Sequence, residues 1–317
     1  MYALGDLGLV HGEHVDVVHS VGDEVNYLAR GIGHARLAHR GRVAAEAVHD
    51  GLELLRQVVA RELGDALDLL GVGHGHDARD DGDVYAALAG RGISDDVLYI
   101  NPENGYKISA FLEGARECDP FCAQDVCRCM AHLRAFHEQK LTVGHTFDLF
   151  GRIDFYRSLW NGAPSAYRDY EETYAHVQSL RPFLQALALP PVLSHIDAVY
   201  DNFLFIPGDG GEELHLIDWE YAGMHDPHID IAMFCIYAFY DREQVDRLID
   251  LYFPEGCADA VRVKIYGYIA ACGLLWSNWC EYKRMLGVEF GEYSLRQYQY
   301  AKEYYQIVCR ERKRLGL

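Results

Sequence analysis

The stretch L-S-H-I-D-A-V-Y-D-N-F-L-F, residues 193–205, sets a histidine, two aspartates and an asparagine just ahead of an apolar run. Taken alone it is an ordinary polar loop whose Asp and Asn make turns and caps. The residues downstream change that reading. The run N-F-L-F-I leads through P-G-D-G-G into a second apolar run, E-L-H-L-I-D-W, which together spell a β-hairpin. Asn202 follows Asp197 by five residues, so one loop can offer a carboxylate to an acceptor hydroxyl and a carboxamide oxygen to a metal. Asp218 closes the second strand, and the hairpin returns its carboxylate beside Asn202. Phosphoryl transfer requires hard oxygen ligands for Mg2+, an oriented hydroxyl and neutralised phosphate charge, and this segment supplies the first two.

The chain around it has 317 residues, half of them apolar, enough for one large domain or two lobes. It has no run of about 18 apolar residues and no basic flank and apolar core of a leader at its start, so it is expected to be soluble and cytoplasmic, with no membrane insertion. A net charge of -19 argues against nucleic acid as a partner, because phosphate contacts need clustered Lys and Arg, and it suits a cationic small molecule. Cys118, Cys122, Cys127 and Cys129 fall in what reads as one amphipathic helix with no second cluster at zinc spacing, which points to free, mostly buried thiols. The oligomeric state is left open.

The first 82 residues are written in a different alphabet from the rest. They contain no Lys, Phe, Trp, Cys, Thr or Pro but eight of the sixteen histidines. A helix fits residues 42–63, weakened by Gly51, and residues 71–83 read as loop. From Val84 the order is regular: a short helix stopping at glycine, the strand V-L-Y-I, the turn N-P-E-N-G and the strand Y-K-I-S-A-F-L. Beyond Glu117 the pattern is mainly helical, interrupted by the hairpin. The expected fold is α+β, a small mixed N-lobe (83–116 with whatever 1–82 contributes) and a larger helical C-lobe, 117–317, carrying a catalytic hairpin.

Protein kinases use the same logic in their H-R-D-x-x-x-x-N loop and D-F-G aspartate. The segment 193–205, with L-I-D-W-E-Y-A-G-M-H-D-P-H-I-D-I-A (216–232), I-N-P-E-N-G-Y-K-I-S-A-F-L-E-G-A-R (100–116), the H-L-R-A-F-H helix and L-L-W-S-N-W-C-E-Y-K-R-M-L-G-V-E-F-G-E-Y (274–293), resembles the choline and ethanolamine kinases of the aminoglycoside phosphotransferase superfamily. The resemblance implies a protein-kinase-like two-lobe fold, ATP as co-substrate and Mg2+. It implies Asp197 as the base, Asn202 and Asp218 as metal ligands with Glu220 in support, and His195 shaping the catalytic loop. Asp230 would brace that loop, and Phe111, Leu112 and Glu113 would meet the nucleotide. Ethanolamine, thiamine or an aminoglycoside are the alternative acceptors, and a choline-binding relic is the non-enzymatic alternative.

A quaternary ammonium cannot donate a hydrogen bond, so its site is built from aromatic faces. Trp276 and Trp279 are three apart on a predicted helix and share a face, with Tyr282 one turn on; spacing alone fits a core helix equally well. The resemblance makes Trp276 and Trp279 pocket walls, with Tyr221 beside them; Tyr237, Phe290 and Tyr293 are candidates for further walls, with core packing as their simpler reading. The glycine loop and basic strand that such kinases place over the phosphates are not legible in residues 1–82. Gly31 to Gly33 lack a flanking pair of alternating strands. An unusual module, a damaged kinase or a start read in the wrong frame would each explain this, and the abrupt change of alphabet favours the last. Poor ATP affinity is then expected.

Overall fold

The computed structural model describes residues 14–19, 35–36, 78–101, 106–208 and 210–317. The chain divides into two compact units, Met1–Ala89 with Asp95–Ala115, and Gly90–Ser94 with Arg116–Leu317. The first unit contains an antiparallel sheet of β1 (His14–His19), β2 (Ala35–Arg36), β3 (Val97–Asn101) and β4 (Tyr106–Ala110), in the order β2-β1-β4-β3. β3 and β4 pair as expected, with Asn101 opposite Tyr106. β1 runs against β4 from Val15↔Ala110 to His19↔Tyr106 and also pairs β2. The expectation of no strand pair around Gly31–Gly33 is therefore corrected: H-V-D-V-V-H, half valine, is a strand that pairs with β4 and with the two-residue β2. Gly31–Gly33, the helix expected over 42–63 and most of the N-P-E-N-G turn lie outside the described residues.

Helix α1 (Ala78–Leu88) begins inside the stretch read as loop and ends before Gly90, whose φ of 70° only glycine adopts cheaply. In this unit Lys107 on β4 is buried, donates to the Tyr85 hydroxyl at 2.6 Å and pairs with Asp95 at 3.6 Å.

The second unit holds β5 (Arg116–Glu117), β7 (Phe203–Gly208) and β8 (Gly211–Leu216) in one sheet, and β6 (Val192–Ser194) with β9 (Gly223–His225) in another. Its helices are α2 (Ala123–Glu138), α3 (Leu149–Ser158), α4 (Tyr170–Gln178), α5 (Arg181–Leu187), α6 (His228–Tyr237), α7 (Arg242–Tyr252), α8 (Asp259–Met285) and α9 (Glu292–Leu315). The hairpin forms from Phe203↔Leu216 to Gly208↔Gly211. β8 stops at Leu216, short of the expected Asp218, because Asp218 has φ +65° and cannot continue a pleat. The four-cysteine helix is also corrected. Cys118 follows β5, Cys122 is the N-cap of α2, and only Cys127 and Cys129 are helical, since Pro120 delays the start.

α8 is buried without a break from Val263 to Lys283, the signature of a helix enclosed on all sides. α9 lies so close to it at Gly273 that a Cβ there would meet the Gln297 carbonyl at 2.7 Å. Arg116 bridges Asp125 of α2 at 2.6 Å and Glu212 of β8 at 2.7 Å, fixing the hairpin tip to α2. Among the described residues no helix is long and apolar enough to cross a membrane, and all nine cysteines are free, five of them buried.

Candidate active site

The catalytic segment leaves β6 at Ser194 and enters β7 at Phe203 through a 3-10 turn, Tyr200–Asn202. Its shape is imposed by backbone hydrogen bonds. Val199 N–H donates to the Asp197 carbonyl at 2.7 Å and Asn202 N–H to the Val199 carbonyl at 3.2 Å. The Asn202 carboxamide Nδ2 donates to the same Asp197 carbonyl at 3.0 Å, so its oxygen turns the other way. Across the hairpin, Ile217 N–H donates to the Asn202 carbonyl at 2.9 Å, which sets Asp218 one residue from Asn202. Thus Asp197, Asn202 and Asp218 are brought together by one local motif.

Two residues of this motif hold left-handed backbone angles, Ile196 at φ 68° and Asp218 at φ 65°. For a β-branched isoleucine this is a true outlier, and such strain persists only where surroundings over-determine it. Those surroundings are visible. Asp230, in the first turn of α6 and fully buried, accepts from His195 N–H at 2.8 Å and from Ile196 N–H at 2.7 Å. It also accepts from His137 Nε2 of α2 at 2.9 Å, and the other nitrogen of His137 meets the Tyr252 hydroxyl at 2.8 Å. Asp230 therefore lies where a brace must lie.

His195 is fully buried, and its Nε2–H donates to the Ile217 carbonyl at 2.8 Å, with its ring 4.4 Å from that of Trp219. Burial drives its pKa down to about 4, so the ring is neutral at pH 7. His195 thus sits as a wedge between the loop and the hairpin. Trp219 donates to the Leu216 carbonyl at 2.8 Å and packs edge-on against Phe136, which closes the underside. Glu220 is buried between Trp219 and Tyr221 in sequence.

The aromatic residues form a continuous belt. Ring centroids run from Tyr221 to Trp276 at 5.5 Å, Trp276 to Trp279 at 5.8 Å and Trp279 to Phe290 at 4.7 Å. They continue to Tyr293 at 6.4 Å, Tyr237 at 6.0 Å and Tyr200 at 5.4 Å. Both ends reach the catalytic hairpin: Tyr221 stands three residues after Asp218, and Tyr200 lies between Asp197 and Asn202. Within the belt, the Trp276 indole N–H points at the Met233 sulfur at 3.2 Å, and the Lys283 ammonium lies 5.4 Å from the Trp279 ring centre.

Phe111, Leu112 and Glu113 follow β4 in the first unit, where Ala115 N–H closes a turn on the Leu112 carbonyl at 3.2 Å. Three groups escaped the sequence reading: His137, Tyr200 and the pair Asp226–Lys264. Lys264 is buried on α8 and donates to Asp226, which also accepts from Leu189 N–H at 2.9 Å and His228 N–H at 3.0 Å. The signal available was Asp226, set directly before Pro227, the N-cap of α6.

Residues 35–266 match the phosphotransferase enzyme family. Protein LicA of Haemophilus influenzae is 23% identical over 246 residues, covering 73% of this chain and 88% of that protein. The crystal structure of choline kinase LicA from Streptococcus pneumoniae superposes with a TM-score of 0.64 at 26% identity, over 74% of this chain and 82% of that one. A choline/ethanolamine kinase family protein from Mesorhizobium loti shares the fold with a TM-score of 0.61 at 23% identity, over 76% of this chain and 80% of that one. The strained hairpin, its carboxylates and these matches agree: the chain belongs to the phosphotransferase enzyme family and is an ATP-dependent phosphotransferase of kinase-like fold.

Proposed function

We propose that this phosphotransferase moves the γ-phosphoryl group of ATP to the hydroxyl of choline, giving phosphocholine. The observation that carries the acceptor is the belt from Tyr221 to Tyr200, which begins and ends on the catalytic hairpin. Aromatic faces attract a quaternary ammonium that no hydrogen bond can hold. A choline bound along the belt would place its hydroxyl, two carbons from the nitrogen, towards Asp197. The chain's net charge of -19 favours approach of a cation.

The donor set fits Mg2+: the Asn202 amide oxygen, turned away from Asp197 by its Nδ2 hydrogen bond, and the Asp218 carboxylate are hard oxygens just beyond the two open ends of one hairpin. They would hold the ion, with Glu220 nearby, and bound Mg2+ would neutralise charge on the phosphate oxygens. Asp197 orients the acceptor hydroxyl and takes its proton as the new phosphorus–oxygen bond forms and the bond to the β–γ bridging oxygen breaks, releasing ADP. The braced backbone keeps that carboxylate aimed, which is where positioning supplies rate. Phe111, Leu112 and Glu113 are proposed to contact the nucleotide.

The composition of residues 1–82 favours a second reading, in which the chain binds choline but turns over slowly because phosphate contacts are incomplete. A coupled ADP-release assay with choline, ethanolamine and thiamine, run beside Asp197→Ala, tests the first reading. Choline should be the preferred acceptor, and equal or better turnover of ethanolamine would overturn it. Isothermal titration with Mg-ATP tests the second, which a low-micromolar Kd would refute.

A further inference from the structure

Helix α6 touches the catalytic segment at both of its ends. Asp230 in its first turn holds the backbone of His195 and Ile196. At its last residue, the Tyr237 hydroxyl donates to Asp201 Oδ2 at 3.1 Å, and the Tyr237 ring lies 5.4 Å from that of Tyr200. Asp230 and Tyr237 are seven residues apart, two turns of helix, so they share a face and stand about 10 Å apart along the axis. One helix face thus meets the segment near its start, at His195 and Ile196, and near its end, at Asp201.

We infer that Tyr237 and Asp201 form a latch in which the Tyr237 hydroxyl, acting through Asp201, positions Asn202 for metal binding. Tyr237 is then a positioning residue as well as a member of the belt. Asp201 is the middle residue of the Tyr200–Asn202 turn, and a 3-10 turn couples the backbone of adjacent residues tightly. Pulling on Asp201 moves Asn202. The latch also joins the two halves of the site, since the same ring packs against Tyr293 at 6.0 Å. This inference rests on the phosphotransferase reading but not on choline as the acceptor.

The test compares wild type with Tyr237→Phe, Asp201→Ala, Asp201→Asn and the double variant Asp201→Ala/Tyr237→Phe, using whichever alcohol the wild type phosphorylates best. Phenylalanine keeps the ring and loses only the hydroxyl. A latch predicts that Tyr237→Phe and Asp201→Ala each lower kcat about tenfold, the scale of one hydrogen bond to a charged group, with acceptor KM within about twofold. It also predicts a raised Mg2+ requirement, no further loss in the double variant, and recovery in Asp201→Asn, whose amide oxygen still accepts from Tyr237. Unchanged kcat in Tyr237→Phe, a change in acceptor KM alone, or losses that multiply in the double variant would overturn the latch. If the wild type prefers an acceptor other than choline, the substrate reading fails while the latch is still measured. If it turns over no alcohol, Mn2+ titration in the presence of ADP decides: the latch requires weaker Mn2+ binding in Tyr237→Phe, and equal binding overturns it.

Discussion

Residues 193–202 and the aromatic belt adjoin one another but are held by different forces. The catalytic segment is fixed by directed hydrogen bonds, from Asp230 to the backbone of His195 and Ile196 and from Ile217 to the Asn202 carbonyl. The belt is set by ring packing, edge to face between Trp276 and Tyr221 and between Trp276 and Trp279, each near right angles, and tilted from Trp279 to Phe290 and from Tyr237 to Tyr200. The difference suits the tasks proposed for the two regions. A carboxylate that meets a hydroxyl proton must be aimed to a fraction of an ångström, and only short, directional bonds into a buried carboxylate achieve that. A quaternary ammonium is attracted from a wide range of angles, so rings without directed donors suffice.

That contrast is broken most forcefully at Asp197. Asp197→Ala should lower kcat by about 100- to 10,000-fold, the range of a lost general base, with the thermal midpoint unchanged. A loss below about tenfold in the ADP-release assay would remove Asp197 from that role. Next comes the brace. Asp230→Ala orphans two buried N–H groups and the His137 bond, and should destabilise by about 3 kcal/mol as well as cut kcat. An unshifted urea midpoint would mean that the strained loop holds itself.

Acid should affect the braced region before the belt. Burial lowers the pKa of His195 and of His228 to about 4 in the fold, whereas in the unfolded chain a histidine titrates near its ordinary value of 6.5. Between those values the unfolded chain binds more protons, so stability present above about pH 6.5 is lost as pH falls towards 4. Each histidine contributes about 1 kcal/mol per pH unit across that window, which urea midpoints at pH 7, 6 and 5 would measure. A flat profile would deny that these rings stay neutral when folded.

The smallest expected effect separates the two belt tryptophans. Trp279 already carries the Lys283 ammonium near its ring, so a substrate cation gains less there. Trp276→Leu should therefore raise choline KM about fivefold and Trp279→Leu about twofold, both with kcat nearly constant. The reverse order in Michaelis kinetics would place the cation on Trp279.

The amino-acid sequence by itself determined the local motif. Asp197, Asn202 and Asp218 are legible because a hairpin is local: two apolar runs and a glycine turn bring its ends together whatever the rest does. On a helix, the shared face of Trp276 and Trp279 follows from their three-residue spacing in the same way. Only the tertiary structure decided the rest. Asp230 finds His137 93 residues away, Lys264 finds Asp226 across 38, and Tyr237 finds Asp201 across 36. Whether Phe290, Tyr293 and Tyr237 lie in a core or complete a belt depends on how α6, α8 and α9 pack, as does the pairing of H-V-D-V-V-H with β4 on tertiary contact. Spacing along a chain specifies which face a side chain takes, while its partner is chosen by elements distant in sequence, and no local pattern encodes that choice.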